Sequence, residues 1–303
     1  MSRLTDAIRF KRPKGPGITI NKGYYLSVLA AKAQLPAITE VVTPKGEGLT
    51  VAGMGVPLAE GTTKEDLGAP MGRGTYAIAS VDKKTVLKVI VLPKEDVGFD
   101  PSAFARTEAA SKWPAELRNR IEATWMLLQV TFESYDPRVY PALDFFLSVA
   151  KRLAELTDGT VADPMSQVYR LPEEMVSSRP EAEPVAAADH VQIKARPHQD
   201  AWHVYTLGLS KFDRPEVEVY EITDDAKTAA ERFMLGLAQA VLTGKTLEPG
   251  AQVGADDSPL KVASGGLDRA LWEGVPCLEL LADKDGRQSD SVLAWLDSQP
   301  KRP

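Results

Sequence analysis

The side chains best suited to chemistry lie between Trp202 and Ile222. This segment holds His203, and further along it Glu216 and Glu218 alternate with valines. In a β-strand this alternation places both carboxylates on one face, about 7 Å apart. Such a pair performs acid–base chemistry when one member is desolvated, and otherwise it forms a solvated face above a valine-lined core. The pattern favours the solvated face.

All three histidines of the chain, His190, His198 and His203, fall within fourteen residues, and Asp200 lies nearby. Neutral imidazole is the commonest metal ligand in proteins, so a metal site is one interpretation. The three residues fall on different predicted elements, however, and their spacing matches no zinc pattern. Polar strand and turn positions explain them better, and we expect no metal and no other cofactor.

No nucleophile stands in a catalytic motif. Ser210 precedes a turn and is not part of a Gly-x-Ser-x-Gly elbow. Cys277, the single cysteine, excludes an internal disulfide and has the setting of a small buried hydrophobic residue. We therefore expect no catalytic residue. The alternative is a metal-dependent or carboxylate-based hydrolase that uses His203, Glu216 and Glu218.

The elements that position these residues can be predicted from periodicity. Strands are expected at His190–Ala195, Trp202–Leu207, Glu216–Ile222 and Pro276–Leu281. A helix follows the third strand, capped by Asp224 and ended by Gly244. Its inward positions are Ala226, Ala230, Phe233, Leu237 and Val241. A short helix is expected at Ser289–Leu296.

A strand and a second amphipathic helix precede this region. Ala123–Phe132 is a nearly continuous apolar run of strand length. Asp136 and Pro137 then suit a helix start, because the carboxylate caps free amides and proline fits the first helical position. The inward stripe of this helix is Val139, Leu143, Phe146, Leu147, Ala150 and Leu153. Thr157–Gly159 ends the helix.

The first hundred residues are rich in glycine and in β-forming residues. The sequence predicts a short helix over Lys22–Lys32, a strand over Ile38–Thr43 and a loop over Gly46–Gly74. The clearest unit is a hairpin, in which Thr75–Val81 and Thr85–Leu92 flank a polar turn.

Strands that cluster apart from two covering amphipathic helices predict an α+β fold with a mainly antiparallel sheet, preceded by a glycine-rich region that contains β-structure. Two domains are the natural expectation for 303 residues. We place the N-terminal β-rich region at 1–100 and an α+β domain at 101–303. Within the second, Leu171–Ala188 is rich in Pro, Glu and Ala and reads as a connector.

Charge is distributed unevenly: the formal charge is +4 over residues 1–100, −4 over 101–200 and −6 over 201–303. A basic arm opens the chain, with Arg3, Arg9, Lys11, Arg12 and Lys14. It is either a solvated terminus or a contact for nucleic acid, and the acidic body favours the solvated terminus. No segment reaches the roughly 18 apolar residues that span a bilayer or has the form of a secretory signal, so we expect a cytoplasmic protein with no membrane contact.

The segment from Val204 to Glu218 resembles a pattern in uncharacterised bacterial domains, where Tyr-Thr-x-Gly-Leu/Met precedes a turn with an aromatic residue and then Pro-Glu-Val/Leu-Glu. The matching residues are Tyr205, Thr206, Gly208, Leu209, Phe212, Pro215, Glu216, Val217 and Glu218. The likeness extends to Thr157–Asp163 and to the loop Leu247–Gly254, within the C-terminal two thirds of the chain. In texture these domains are similar to the suppressor-of-fused-like group, which implies protein recognition or toxin immunity and no agreed catalytic residues.

Together these observations predict a cytosolic, non-catalytic protein-binding module, immunity-like or stress-associated. Aromatic side chains at a turn supply contact area, and acidic residues steer a basic protein partner. The expected contact residues are Trp202, His203, Tyr205, Phe212, Arg214, Glu216 and Glu218. On this hypothesis, Phe212→Ala combined with Arg214→Ala weakens binding without unfolding the protein.

Overall fold

The computed structural model describes residues 18–42, 53–58, 63, 65–135, 139–175, 185–283 and 286–299. Five sequence predictions lie wholly or partly outside these residues: the basic arm, the helix start at Asp136 and Pro137, the last residue of the strand at Ile38–Thr43, parts of the loop at Gly46–Gly74, and half of the connector at 171–188. Among the described residues, no helix combines the length and the apolar composition needed to cross a bilayer.

The first sheet has seven strands and is antiparallel throughout. Its strands are β1 (Tyr25–Ala30), β2 (Gly53–Pro57), β3 (Gly74–Ser80), β4 (Val86–Pro93), β5 (Met126–Ser134), β6 (Thr160–Asp163) and β7 (Val168–Arg170). In space the order is β2-β3-β4-β5-β1-β6-β7. Because β4 pairs with β5 and β1 lies between β5 and β6, the division expected near residue 100 falls inside one continuous sheet.

Helices cover both faces of this sheet. They are α1 (Ile38–Val42), α2 (Pro101–Ala105), α3 (Glu108–Ser111), α4 (Ala115–Glu122) and α5 (Val139–Leu156). The predicted stripe of α5 is entirely buried and packs against β1, β5 and β6. On the opposite face, Leu117 and Ile121 of α4 form a smaller cluster with Leu29 and Ala162. The prediction of an amphipathic helix here is confirmed, as is the β3–β4 hairpin.

Three N-terminal predictions are wrong. The loop expected over Gly46–Gly74 contains strand β2, which pairs with β3. The helix expected at Lys22–Lys32 is strand β1, in which Leu26, Val28 and Ala30 are buried on one face and Leu29 on the other, so the alternation that marks a strand is incomplete. The strand expected at Ile38–Thr43 is helix α1, although its residues are mostly β-branched. Glu40 caps this helix by accepting a hydrogen bond from the amide of Ala37 at 3.0 Å, so local capping overrides β-propensity.

The second sheet has six strands in the order β11-β12-β13-β10-β9-β8, antiparallel except for the parallel pair β10–β13. Its strands are β8 (Gln192–His198), β9 (Ala201–Leu207), β10 (Glu216–Ile222), β11 (Gln252–Ala255), β12 (Ser258–Ser264) and β13 (Cys277–Leu281). The helices of this half are α6 (Ala187–His190), α7 (Lys227–Leu242), α8 (Arg269–Trp272) and α9 (Gln288–Ser298). With two mostly antiparallel sheets and separate covering helices, the protein has an α+β fold.

Helices α7 and α9 pack on one another and cover one face of the second sheet. The predicted inward stripe of α7 is buried, and Gly244 follows the helix with φ +106°, as a residue that ends a helix does. The predicted cap is wrong. Ala226 occupies the position before the helix, while Asp224 instead accepts a hydrogen bond from the Trp202 indole at 2.5 Å.

The turn between β9 and β10 fastens the second sheet to the first. The carbonyl of Lys211 accepts a hydrogen bond from the Asn21 amide at 2.7 Å, and Asp213 accepts one from the Asn21 side chain at 2.7 Å. The fully buried ammonium of Lys211 donates to Asp163 of β6 at 2.6 Å. This turn is therefore an internal joint between the two halves of the protein.

Candidate functional site

The two glutamates of β10 are buried, with 1% of Glu216 and none of Glu218 exposed. The expectation of a solvated face is therefore wrong. Strand β10 lies in the middle of its sheet, between β13 and β9, so helices cover one face and the segment leading into α8 covers part of the other. Alternation correctly placed both carboxylates on one side but did not show that this side is covered.

Glu216 organises the β9–β10 turn. Its carboxylate accepts hydrogen bonds from the amides of Gly208 at 2.8 Å and Ser210 at 3.0 Å, and from the Thr206 hydroxyl at 2.7 Å. Gly208 has φ +123°, and a Cβ there would lie 2.3 Å from the carbonyl oxygen of His190. Glu216 therefore holds a tight turn that only glycine fits, which is a structural role.

Glu218 is the centre of a second and separate cluster. Its Oε2 accepts hydrogen bonds from His203 Nε2 at 3.1 Å and from the Tyr220 hydroxyl at 3.2 Å. The same oxygen accepts one from the Trp272 indole at 2.6 Å, and Oε1 accepts one from the Gly266 amide at 2.6 Å. We call Glu218, these four donors, Arg196 and Asp268 the Glu218 network.

A guanidinium fixes the tautomer of His203. Arg196 Nε donates a hydrogen bond to His203 Nδ1 at 3.0 Å, and a guanidinium can only donate. Nδ1 is therefore unprotonated, and Nε2 carries the proton that it donates to Glu218. Arg196 also forms an ion pair with Asp268, which caps helix α8 and so positions Trp272. The contacts of the network thus connect β8, β9, β10 and α8 in a closed ring.

The network holds Glu218 as an anion. Burial alone would raise the pKa of its carboxyl, but the hydrogen bonds from His203, Gly266 and Trp272 outweigh burial and lower the pKa below its usual value. A general base needs a free lone pair aimed at the substrate, whereas four donors already occupy this carboxylate. The geometry is that of a scaffold.

A cleft of about 540 Å³ opens beside the Glu218 network. Most of the residues that line it are polar or charged, among them Arg196, His198, Tyr220, Asp268, Arg269 and Glu279. Leu267, which is 73% exposed, also lines it. Burial, together with the negative charges of Glu218 and Glu221, raises the pKa of Glu279, so the cleft contains crowded acidic groups.

The other predicted contact residues are mostly inside the protein. Phe212 is fully buried in the main core, so it does not present an aromatic surface at an exposed turn, and that expectation is wrong. Phe212→Ala would leave a core cavity and destabilise the protein by about 3–5 kcal/mol. Tyr205 is buried edge-on to Trp272, while Trp202 and Arg214 are partly buried, with Lys227 stacked 3.6 Å above the Trp202 ring.

The three histidines do not converge. The rings of His198 and His203 are 6.5 Å apart, whereas His190 lies at the junction of the two halves, edge-on to Phe212. Within the described ranges, no three His, Cys, Asp or Glu side chains are placed to hold a metal ion. A hydrolase that uses His203, Glu216 and Glu218 would have to work with a buried imidazole whose two nitrogens are both engaged.

The sequence predictions missed Arg196, Asp268 and Trp272. A signal for Arg196 existed, because a hairpin between β8 and β9 in this register sets Arg196 directly opposite His203. No comparable signal existed for Asp268 and Trp272. They reach the site through the parallel pairing of β10 with β13, a long-range contact that periodicity does not encode.

Cys277 is expected to react slowly with thiol reagents in the folded protein. Burial, followed by the charges of Glu218 and Glu216, raises the pKa of its thiol well above the usual value. Because the thiolate is the reactive form, we expect labelling by an aromatic disulfide reagent at about pH 8 to be at least about tenfold slower than in the urea-unfolded protein. Equal labelling rates in the folded and unfolded states would contradict the raised pKa of the Cys277 thiol.

Comparisons with protein-family models, with curated protein sequences and with solved structures find no match to this chain. The resemblance to the suppressor-of-fused-like group stays a prediction, and function is inferred from the geometry of the site.

Proposed function

We propose that this protein is a non-catalytic binding module that holds a basic segment of another protein in the cleft beside the Glu218 network. The proposal rests on a contrast between the Glu218 network and the cleft beside it. Glu218 and both ring nitrogens of His203 are buried and occupied, whereas the cleft next to them presents charged side chains and an exposed leucine.

The charges of the cleft favour a cation from the partner. Asp268 is paired with Arg196, which leaves Glu221 and Glu279 against Arg269 among the charged residues that line the cleft. Burial first, and then the negative charges of Glu218 and Glu221, raise the pKa of Glu279. A lysine or arginine side chain placed there would relieve this crowding. The formal charge of −6 over residues 201–303 would steer the same partner toward this half of the protein.

Apolar contact is available at the same place. Leu267 is the most exposed large hydrophobic residue among those described, and Leu281 and Tyr220 line the same cleft. Charged groups around an apolar contact are the usual composition of a protein interface. An immunity-like role, which the sequence resemblance implies, is one form of this proposal, in which the partner is a basic toxin.

The test is quantitative affinity capture with wild-type protein and with Glu279→Lys. Reversing this charge places a cation where the partner's cation is expected to lie. We expect a protein with a basic segment that wild type captures to be recovered at least about tenfold less with the variant, as loss of a buried charge pair predicts.

Glu248→Lys is the matched control, because Glu248 is exposed, lies in the same third of the chain and gives the same net charge. It should capture the partner as wild type does. Equal capture by wild type and by folded Glu279→Lys would refute the cleft as the contact site. Leu267→Ser provides a second variant that leaves all charges in place and should also weaken capture.

A further inference from the structure

Strand β2 lies at one end of the first sheet and, among the described strands, pairs only with β3. Three exposed apolar side chains stand at alternate positions along it, with between 40% and 56% of each exposed: Met54, Val56 and Leu58. Alternation places them on one face of the strand. The segment Gly53–Leu58 carries no charged residue. Exposed apolar residues that cluster in this way mark a contact surface.

The other face of β2 is covered by the protein itself. A Cβ on Gly55 would lie 2.7 Å from the Ile38 side chain of α1, and one on Gly53 would lie 2.4 Å from the carbonyl oxygen of Ala79. Glycine in a strand permits such close approach. The two glycines therefore let β2 lie against α1 and β3, while the residues between and after them stay exposed.

The register of β2 shows which of its backbone groups point away from β3. The Leu58 amide donates to the carbonyl of Thr75 at 2.9 Å, so the even-numbered residues of β2 bond to β3 in this antiparallel pair. The odd-numbered residues Gly53, Gly55 and Pro57 point outward, and we call this side of the strand the β2 edge. Proline, which has no N–H, suits an outward position of this kind.

No described element uses the outward groups of the β2 edge. Helix α1 and the turn Glu65–Gly68 also contact β2, but among the described residues neither forms a backbone hydrogen bond with it. The amides of Gly53 and Gly55 and the carbonyls of the β2 edge are therefore open to a strand from elsewhere.

The other described edge strands are protected. Strand β8 carries Lys194, Arg196 and Pro197, β7 has three residues, and β11 is interrupted by Gly254 with φ +106°. Charge, proline, short length and local distortion each prevent one sheet from adding to another. By contrast, β2 has no charge, and its proline is its last residue.

We propose that β2 pairs with β2 of a second copy of this chain, antiparallel and about a two-fold axis at Gly55. The two Gly55 residues exchange both of their hydrogen bonds, and each Gly53 amide donates to the Pro57 carbonyl of the other copy. Every outward amide of both strands then has an acceptor. The first sheets of the two copies join edge to edge.

A second copy fits the β2 edge because β2 is uncharged. In this register Met54 lies opposite Val56 of the other strand, with Cβ atoms about 4.5–5.5 Å apart. Two-fold pairing sets each strand against its own composition, so a charge on β2 would stand near a like charge and oppose the contact. Because β2 has none, apolar side chains meet on both sides of the axis.

The size of the contact sets its strength. Two paired strands of this length form an interface below about 1,200 Å², the class of weak and transient associations. We therefore expect a dissociation constant of about 10–100 µM. Sedimentation equilibrium of the full chain between about 1 and 200 µM should show the mean mass rising from that of a monomer toward that of a dimer.

Met54→Lys combined with Val56→Lys sets lysines directly opposite one another across the axis and should weaken association at least about tenfold. Both positions are exposed, so this lysine variant should keep the melting temperature of wild type. The matched control is Val97→Lys combined with Leu267→Lys. It makes the same charge change at two exposed apolar residues elsewhere and should associate as wild type does.

A charge swap tests whether β2 lies on both sides of the contact. Met54→Glu combined with Val56→Glu should also be monomeric alone, whereas its equimolar mixture with the lysine variant should form a heterodimer through Lys–Glu pairs. The proposal is overturned by wild type that stays monomeric at about 200 µM, by a folded lysine variant that associates as wild type does, or by a mixture that stays monomeric.

Monomeric wild type whose affinity capture of another protein falls with the lysine variant would assign the β2 edge to that protein and overturn the second copy. None of the sedimentation results depends on the cleft beside the Glu218 network.

Discussion

Glu218→Ala is expected to lower the free energy of unfolding by about 3–5 kcal/mol, because it removes the acceptor of four hydrogen bonds inside the protein. The imidazole of His203, the indole of Trp272 and the amide of Gly266 would all lose their partner where little water can replace it. Urea unfolding followed by far-ultraviolet circular dichroism measures this loss.

Glu248→Ala is the control, because this exposed glutamate should change stability by no more than about 0.5 kcal/mol.

Acid should also lower the free energy of unfolding, because it protonates Glu218. The folded-state pKa of Glu218 is lowered, so its contribution is present above the unfolded value of about 4.3 and is lost as pH falls below it. The difference between wild type and Glu218→Ala should therefore narrow below about pH 4. A loss under about 1 kcal/mol at neutral pH would show that the network does not hold the sheet together.

Lys211→Met is expected to destabilise the protein by about 3–5 kcal/mol, because it leaves the carboxylate of Asp163 buried without its cation. The change should also weaken the contact between the two halves, since Lys211 comes from the β9–β10 turn and Asp163 from β6. Chemical unfolding measures the loss of stability. Limited proteolysis tests whether the two halves separate before either one unfolds.

A double-mutant cycle separates the ion pair from the packing of the Lys211 side chain. Lys211→Met combined with Asp163→Asn should be less destabilising than the sum of the single changes, with a coupling of about 1 kcal/mol or more. Lys32→Met is the matched control, because its ion pair with Asp158 is exposed and should contribute less than about 1 kcal/mol. Additive effects at Lys211 and Asp163 would show that the buried pair does not join the halves.

The elements around the site were predictable because their patterns are regular. The polar–apolar alternation of Glu216–Ile222 and the helical spacing of Phe233, Leu237 and Val241 each require only a local reading of the sequence, and both elements are found as expected. Local sequence patterns did not predict all the elements of the first hundred residues correctly. There, Tyr25–Ala30 is a central strand buried on both faces, and a short apolar run of that kind is ambiguous between helix and strand.

The candidate site was predictable only in part. His203, Glu216 and Glu218 were identified, and the shared face of the two glutamates follows from their spacing. Their burial did not follow, because Trp272 and Gly266 reach Glu218 from about fifty residues further along the chain. Phe212 was misplaced for a similar reason. The turn that carries it docks on Asn21 and Asp163, and no local pattern reports such a contact.

The parallel pairing of β10 with β13 affects how this protein folds while the ribosome synthesises it. Synthesis proceeds from the N-terminus, so β10 emerges before the segment that carries Gly266, Trp272 and β13. Until that segment follows, Glu218 lacks two of its four donors, and β10 presents an open edge on the side that β13 will occupy. We expect the nascent chain at this stage to be the form most in need of a chaperone, since an unpaired strand edge invites association with other chains.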